Sequence, residues 1–268
     1  MSKYYIKNIN NISANGDIGG FQETVIRQIY TTWILKSGNV AIDIGAHLGL
    51  HTIQMAHCVG ESGIIYSIEA CPDLISAVQH QLDDKGIRNV RLTHAAVGLR
   101  NGGFIKFYKN IENPGQSTIV KGYGNNFTDQ YSYDVPLINL DSLEPVIGRR
   151  LLRFIKIDAE GAELQILKGG IQLLTAHTPL IAAEVSIHLF KVYKEEFNKF
   201  LHDAGYSAFT LLGDELSDQV VEREKETPLY TLLLAKRGHW THDFCSNPDK
   251  LKKLTLNLSD RWALRSKS

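Results

Sequence analysis

The strongest constraint on the fold is an alternation of short apolar segments with segments of helical spacing. Five segments are predominantly apolar, as the buried strands of a parallel sheet are: residues 40–44, 64–70, 90–97, 151–158 and 179–187. The segment that begins at Pro72 is typical of the helical ones, because Leu74, Val78 and Leu82 fall on one face. Repeated strand–helix units predict an α/β fold with a mostly parallel sheet, covered by helices on both faces.

The alternation is interrupted over residues 101–140, which are rich in Gly and Asn and contain two strand-like segments, FIKFY and YDVPLI. We predict that these form a β-hairpin insertion, or lid, after the third strand. With 268 residues, 43% of them hydrophobic, the chain can bury one large core. We therefore predict a single domain over 1–268, with an N-terminal helical cover (1–38) and a C-terminal tail (240–268) to which the sequence assigns no role.

Charge, hydropathy and cysteine content exclude several classes of partner. The 29 Lys and Arg residues equal the 29 Asp and Glu residues, so no net charge attracts nucleic acid. No apolar run reaches the roughly 18 residues that a membrane helix requires, so we expect no membrane insertion. The polar first residues are unlike a signal peptide, and the 3 cysteines have no paired spacing, which favours a cytoplasmic location. The sequence leaves a homodimer open.

A glycine-bearing turn follows the first predicted strand. Asp43, Gly45 and Gly49 form the pattern D-x-G-x-x-x-G, in which glycine lets the backbone turn sharply and a ligand lie against it. A dinucleotide-binding turn has glycine where Asp43 stands, and it binds a pyrophosphate. A carboxylate repels a pyrophosphate but attracts an ammonium or sulfonium group. The turn therefore favours S-adenosylmethionine over NAD as the ligand.

An acidic residue, Glu69, ends the second predicted strand, 24 positions after Gly45. A carboxylate at that position can accept hydrogen bonds from both hydroxyls of a ribose. Taken alone, the glycines also fit an ordinary tight turn, and Glu69 also fits a solvated strand end. Because the glycine turn follows the first predicted strand and Glu69 ends the second, the two features together favour a binding site for adenosine.

Four segments extend these features into a resemblance to a known family. AIDIGAHLGLHTIQMA, GIIYSIEACPDLISAVQHQL, NVRLTHAAVG and above all FIKIDAEGAELQILKGG resemble the FkbM-family methyltransferases, over about residues 20–215. The resemblance implies a Rossmann-like class I methyltransferase fold. Its sheet has seven mostly parallel strands in the order 3-2-1-4-5-7-6, with strand 7 antiparallel. The implied activity is methyl transfer from S-adenosylmethionine, mainly to oxygen.

The donor is expected to lie against the ends of the first three strands and of the strand before Asp158. The expected donor-binding residues are Asp43, Gly45, Ala46, His47, Gly49, Glu69, Ala70, Ala95, Ala96 and Asp158. The resemblance places the adenine edge at Ala95 and Ala96, although alanine after a strand is also ordinary packing. His47 stands where the family usually has asparagine, and Ala70-Cys71 replaces the usual proline.

Carboxylates cluster at the ends of the later strands. We predict catalytic roles for Asp158 and Glu160, with His188 as an alternative general base. Glu163 follows in the same cluster, but it fits the charge-stabilised start of a helix as well as it fits a catalytic role. Asp158 and Glu184 together can bind a divalent cation such as Mg²⁺ through carboxylate oxygens. We favour a metal-free or metal-optional site, because no dense set of oxygen ligands is visible in the sequence.

The acceptor is the least constrained part of the hypothesis. Ser117 and Thr118 in the insertion, together with Glu184, are the predicted substrate-binding residues. We predict O-methylation of a small-molecule or glycan acceptor, at a hydroxyl of a sugar, a glycolipid or a natural product. N-methylation of an amide or amine, including a modified peptide side chain, is the alternative within the enzyme class. A non-catalytic module that binds S-adenosylmethionine is the alternative outside it.

Overall fold

The computed structural model describes residues 18–111, 114–121, 131–185, 187–216 and 231–265. Its strands are β1 (Val40–Ile44), β2 (Ile64–Glu69), β3 (Val90–His94), β4 (Ala96–Val97), β5 (Phe104–Tyr108), β6 (Ser132–Ile138), β7 (Leu152–Ile157), β8 (Leu180–Glu184), β9 (Tyr206–Thr210), β10 (Glu215–Leu216) and β11 (Thr231–Lys236). Its helices are α1 (Ile18–Ile29), α2 (Leu50–Val59), α3 (Pro72–Asp84), α4 (Glu144–Ile147), α5 (Glu163–Lys168), α6 (Ile171–His177), α7 (Ile187–Ala204), α8 (Trp240–Cys245) and α9 (Pro248–Arg265). A π-helical turn over Tyr30–Ile34 continues α1.

Eight strands form the central sheet, in the order β10-β9-β11-β8-β7-β1-β2-β3. The five strands β8, β7, β1, β2 and β3 are parallel to one another. Strand β11 lies between β8 and β9 and is antiparallel to both. The mostly parallel α/β sheet is therefore confirmed. The predicted number of seven strands is one short, because β10 adds a two-residue edge strand beside β9 that is too short to show a periodicity.

Helices cover both faces of the sheet, as the strand–helix alternation predicts. All five residues of β1 are buried, as in a strand packed on both sides. Ala41 belongs to an apolar cluster that includes residues of α1, α2, α3 and α9. Its neighbour Ile42 points to the opposite face, in a cluster with residues of α5, α6 and α7.

The insertion carries a small sheet of its own. Strands β5 and β6 pair antiparallel, with Phe104 opposite Pro136, which accounts for the two strand-like segments of the sequence. The arrangement is more than a hairpin, because β4 also pairs with β6, parallel to it. The predicted third strand, 90–97, is therefore divided at Ala95, since β3 belongs to the central sheet and β4 to the small one. Residues 112–113 and 122–130 of the insertion lie outside the described residues.

After β7, where the strand–helix alternation predicts a helix, the chain forms two helices, α5 and α6, separated by Gly169 and Gly170. A Cβ on Gly169 would lie 2.2 Å from the carbonyl oxygen of Gly98, and a Cβ on Gly170 would lie 2.8 Å from the Leu140 side chain. The helix is therefore interrupted where two backbone segments come too close for a side chain.

The two ends of the described chain pack against each other. Helix α1 lies within the predicted N-terminal cover and its Phe21 is fully buried, while residues 1–17 lie outside the described part. The ring centroid of Phe21 lies 5.9 Å from that of Trp262 on α9, edge to face. The C-terminal tail, to which the sequence assigns no role, thus completes the cover over one face of the sheet. Within the described residues, no helix is both long and apolar enough to cross a membrane.

Candidate active site

A cavity of about 570 Å³ lies at the carboxyl ends of the parallel strands, where an open α/β sheet binds its ligands. Most of the predicted donor and acceptor residues line it: Asp43, Gly45, Ala46, His47, Glu69, Ala70, Ala95, Ala96, Ser117, Thr118, Asp158, Glu160 and Glu184. Gly49, which was expected to contact the donor, does not line the cavity. This glycine instead has φ +75° at the start of α2, where a Cβ would lie 3.0 Å from Val78, so its place in the turn is explained by packing.

Asp43 is the most unusual group in the wall of the cavity. Its side chain is fully buried, and Thr52 donates a hydrogen bond of 2.6 Å to its Oδ2. The other oxygen, Oδ1, is buried and has no hydrogen-bond partner among the described residues. Burying an unpaired carboxylate oxygen is costly, so an oxygen without a protein partner is expected to receive a hydrogen bond from a water or a ligand. Asp43 therefore offers an acceptor to a hydrogen-bond donor within a ligand.

The fold itself requires glycine at position 45. Its φ is +76°, and a Cβ on it would lie 1.8 Å from the carbonyl oxygen of Asp158. The turn after β1 and the loop after β7 are thus in backbone contact. This contact places Asp158 beside the glycine turn and adds a reason for Gly45 that the sequence pattern does not show.

We expect Gly45→Ala to lower the free energy of unfolding by about 2–4 kcal/mol, from the strained φ and the clash with the Asp158 carbonyl. Thermal or urea unfolding measures the loss. Gly86→Ala is the matched control, because Gly86 also has a positive φ (+66°) but a Cβ added there would have no atom within 4 Å. Equal losses in the two variants would show that the close approach at Gly45 has no energetic weight.

Glu69 joins the turn after β1 to the start of α3. Its Oε2 accepts a hydrogen bond of 2.8 Å from the backbone N–H of His47, and its Oε1 accepts one of 2.7 Å from that of Cys71. Burial is the main cause that raises the pKa of this carboxyl above its usual value. Each carboxylate oxygen can accept a second hydrogen bond, so Glu69 remains able to bind hydroxyl groups.

At the other end of the cavity, a buried lysine lies among carboxylates. The Nζ of Lys156 is 3.0 Å from Asp158 Oδ2 and 3.8 Å from Glu23 Oε1. Burial alone would lower the pKa of Lys156, but the carboxylates of Asp158, Glu23 and Asp43 raise it well above its usual value. Lys156 is therefore an ammonium ion fixed at the carboxyl edge of the sheet.

The remaining carboxylates of this cluster differ in charge. Burial opposes ionisation of Glu23, but Lys156 and a hydrogen bond with His51 lower its pKa to about 2. His51 in turn hydrogen-bonds through its Nδ1 to the hydroxyl of Tyr30, at 3.0 Å. Burial and then the charge of Asp158 raise the pKa of Glu184 to about 8. At neutral pH Glu23 is thus ionised and Glu184 carries a proton.

The cluster bears on the predicted metal site. Carboxylate oxygens of Glu23, Asp158 and Glu184 lie within 4.8 Å of one another, so Glu23 joins the pair expected from the sequence. The ammonium of Lys156 already contacts two of the three, and Glu184 is protonated at neutral pH. An internal ammonium ion thus supplies the positive charge that Mg²⁺ was expected to supply. A divalent cation at this cluster is therefore not supported by the described residues, although the three carboxylates lie close enough together to hold one.

The loop that follows Asp158 is held by hydrogen bonds to the side chain of Glu163. Oε1 of Glu163 accepts hydrogen bonds of 3.2 Å from the backbone N–H groups of Ala159 and Gly161. Burial raises the pKa of this carboxyl to about 7. The helix-start interpretation of Glu163 is therefore the one that the geometry supports. The same hydrogen bonds hold Glu160 at φ +46°, where it lines the cavity.

The insertion is tied to that loop by Thr118. Its buried hydroxyl donates a hydrogen bond of 2.6 Å to the carbonyl oxygen of Glu160 and accepts one of 3.0 Å from Val120. The Ser117 hydroxyl accepts one of 3.1 Å from the backbone N–H of Asn110. Both residues line the cavity, but the Thr118 hydroxyl proton goes to the protein. The side chain of His188, the alternative base, lies outside the described part of the structure.

Several residues of the site were not predicted from the sequence. Lys156 carries a signal, because a lysine inside an apolar strand and two positions before Asp158 lies on the same face as that residue. Glu23 and His51 carry none, since they come from α1 and α2 and meet the strand ends only in the folded chain.

The sheet has a glycine turn after its first strand, an acid at the end of its second, a cavity at these ends and an antiparallel strand between β8 and β9, and this combination fits the class I methyltransferase type of fold. Within that class, the sequence model described as the methyltransferase FkbM domain matches residues 43–208, which is more than half of the chain. The chain belongs to this family, as the resemblance predicts.

More distant similarities extend beyond the family. The protein-L-isoaspartate O-methyltransferase of Methanocella arvoryzae is 35% identical over 68 residues, which cover 25% of this chain and 34% of that protein. The chain thus spans about a third of the length of that relative. Methyltransferase 1 of Beauveria bassiana is 22% identical over 164 residues, covering 55% of this chain and 65% of that protein. The solved FkbM methyltransferase of Methylobacillus flagellatus is 15% identical, covers 85% of this chain and 60% of its own, and has a TM-score of 0.47.

Proposed function

We propose that this protein transfers a methyl group from S-adenosylmethionine to a hydroxyl of a small molecule or glycan. The observation that carries the proposal is the unpartnered, buried Oδ1 of Asp43 in the wall of a cavity at the strand ends, among the described residues. The ammonium group of the donor's methionine part is a hydrogen-bond donor of the charge that such an oxygen requires.

The other parts of the donor have complementary groups in the same cavity. Glu69 can accept hydrogen bonds from the ribose hydroxyls in addition to the two that it accepts from the backbone. Ala95 and Ala96, with Val97, present small apolar side chains on which a flat adenine ring can lie. When bound, the donor supplies an electrophilic methyl group, and the sheet edge holds it between these contacts and the carboxylate cluster.

The acceptor end is the cluster of Lys156, Asp158, Glu23 and Glu184. A hydroxyl is a weak nucleophile and requires a group that accepts its proton as the new bond forms. We propose that Asp158 orients the acceptor hydroxyl and accepts its hydrogen bond, with Lys156 fixing the carboxylate in place. Glu160 and Glu184 line the same end and are proposed to contact the acceptor. The role of His188 as an alternative general base stays a prediction, because its side chain lies outside the described residues.

The donor assignment is tested by calorimetric titration of S-adenosylmethionine into the wild type and Asp43→Asn. We expect the dissociation constant to rise at least about tenfold in the variant, as for the loss of a charged hydrogen-bond partner. Asp134→Asn is the control, because Asp134 is exposed on β6 and lies outside the cavity. If the wild type does not bind the donor, or Asp43→Asn binds it equally well, the proposal is wrong.

The acceptor atom is tested separately, by mass analysis of products from matched hydroxyl and amine acceptors. Methyl groups found on oxygen support the proposed function, whereas methyl groups found on nitrogen support the alternative stated from the sequence. Donor binding without any product from either panel supports a binding module.

A further inference from the structure

A second cavity, of about 500 Å³, adjoins the first between α1 and α9. Thr24, Arg27 and Trp262 line both cavities, so the two spaces lie on either side of a common wall. The second cavity therefore adjoins the space in which an acceptor would meet the carboxylate cluster. Volumes of this size are typical of small-molecule sites in proteins.

The two cavities differ in charge. Carboxylates dominate the first one, where Glu23, Asp158 and Glu184 lie together. The charged side chains that line the second are arginines, Arg27 and Arg261, and the described residues that line it include no acid. The rest of its wall is polar amide and hydroxyl or apolar: Thr24, Gln28, Thr31, Gln54, Leu258 and Trp262. The second cavity is thus suited to an anion, whereas most of the charged side chains that line the first are acidic.

The wall between the cavities is held in place by packing and hydrogen bonds. The Thr24 hydroxyl donates a hydrogen bond of 3.0 Å to the carbonyl oxygen of Gly20, and Nη2 of Arg27 donates one of 3.3 Å to the same hydroxyl. The indole of Trp262 packs edge to face on the buried ring of Phe21. Trp262 is therefore held by packing, whereas Arg27 is exposed and makes a single hydrogen bond of 3.3 Å to this wall.

We propose that the second cavity binds an oxyanion, either phosphate or carboxylate, carried by the acceptor molecule. The inference rests on the proposed function, which it deepens by assigning the acceptor to the class of anionic hydroxyl compounds. Two guanidinium groups offer planar pairs of N–H donors, which match the oxygen atoms of such anions. Arg27, Arg261 and Trp262 all lie outside residues 43–208, so the recognition is built by helices that flank the family's common region.

The test uses two small probes, inorganic pyrophosphate and malonate, titrated calorimetrically into the full chain at low ionic strength. We expect at least one probe to bind the wild type, and Arg27→Gln and Arg261→Gln each to raise its dissociation constant at least about tenfold. Arg91→Gln is the matched control, because Arg91 is exposed on β3 and lines neither cavity. The probe that binds more tightly decides between phosphate and carboxylate.

The outcomes separate this inference from the proposed function. If neither probe binds, or if both arginine variants bind as the wild type does, the anion site does not exist. Donor titration of the wild type is run in parallel. Suppose that the arginine variants lose probe binding but the wild type does not bind S-adenosylmethionine. The anion site is then retained, and the methyltransferase proposal is wrong.

Discussion

Replacing Asp158 by asparagine is expected to lower kcat by about 10²–10⁴-fold, the range for removal of a group that accepts a proton or orients it in the transition state. Asparagine keeps the shape of the side chain but loses the charge and one acceptor oxygen. The change lies at the group that Lys156 holds at 3.0 Å and that the Gly45 turn touches through its backbone. Initial rates with an acceptor identified by the product screen measure the effect.

Two controls decide what a lower rate means. The donor dissociation constant of Asp158→Asn is expected to change far less than kcat, because Asp43 and Glu69 make the donor contacts in the proposed arrangement. Circular dichroism and thermal unfolding verify that the variant is folded. A kcat within about threefold of the wild type would remove Asp158 from the catalytic residues, since a transition-state contact is worth more than that.

The sheet could be predicted from the sequence because its strands are buried on both faces. A strand such as β1, with VAIDI buried throughout, leaves a continuous apolar run that no surface helix or loop would carry. The errors in the fold come from short elements and close contacts. Two residues cannot show a periodicity, so β10 is absent from the prediction, and the break between α5 and α6 depends on the distance from Gly169 to Gly98 across the fold.

Part of the candidate site was also predictable, because residues after parallel strands share one edge of the sheet. Asp43, Glu69 and Asp158 lie at or just beyond the carboxyl ends of β1, β2 and β7, and all line the cavity. The far end of the cavity was not predictable, since Glu23 lies on α1 and Trp262 on α9. Where these helices cross the sheet edge depends on tertiary packing, such as the contact of Phe21 with Trp262.

The roles of single residues in the turns depend on neighbours that a sequence pattern does not show. Gly49 belongs to the glycine pattern after β1, yet its close neighbour in the structure is the side chain of Val78. Glu163 fits both a helix start and a catalytic role, and its bonds to Ala159 and Gly161 favour the first. In both cases the sequence places the residue at the correct turn, and only the surrounding atoms decide what it does there.

Replacing Lys156 by methionine is expected to lower the free energy of unfolding by about 1–3 kcal/mol, less than for a fully buried ion pair, because Asp158 and Glu23 are partly exposed. Methionine fills a similar volume, so the loss reports the missing charge and not a cavity. Asp158 and Glu23 would then be left without the ammonium ion that both contact. Urea unfolding at neutral pH measures the change.

If the stability loss of Lys156→Met comes from the missing charge, it will depend on the neighbouring carboxylates; a loss that comes from packing will not. Adding Glu23→Gln to Lys156→Met removes one of the stranded carboxylates, so the double variant is expected to recover part of the lost stability. Glu23→Gln alone is expected to destabilise the protein, because His51 and Lys156 each lose an ionised partner. If the two single losses simply add in the double variant, Lys156 and Glu23 are not energetically coupled, and Glu23 does not belong to the charge cluster that Lys156 forms with Asp158.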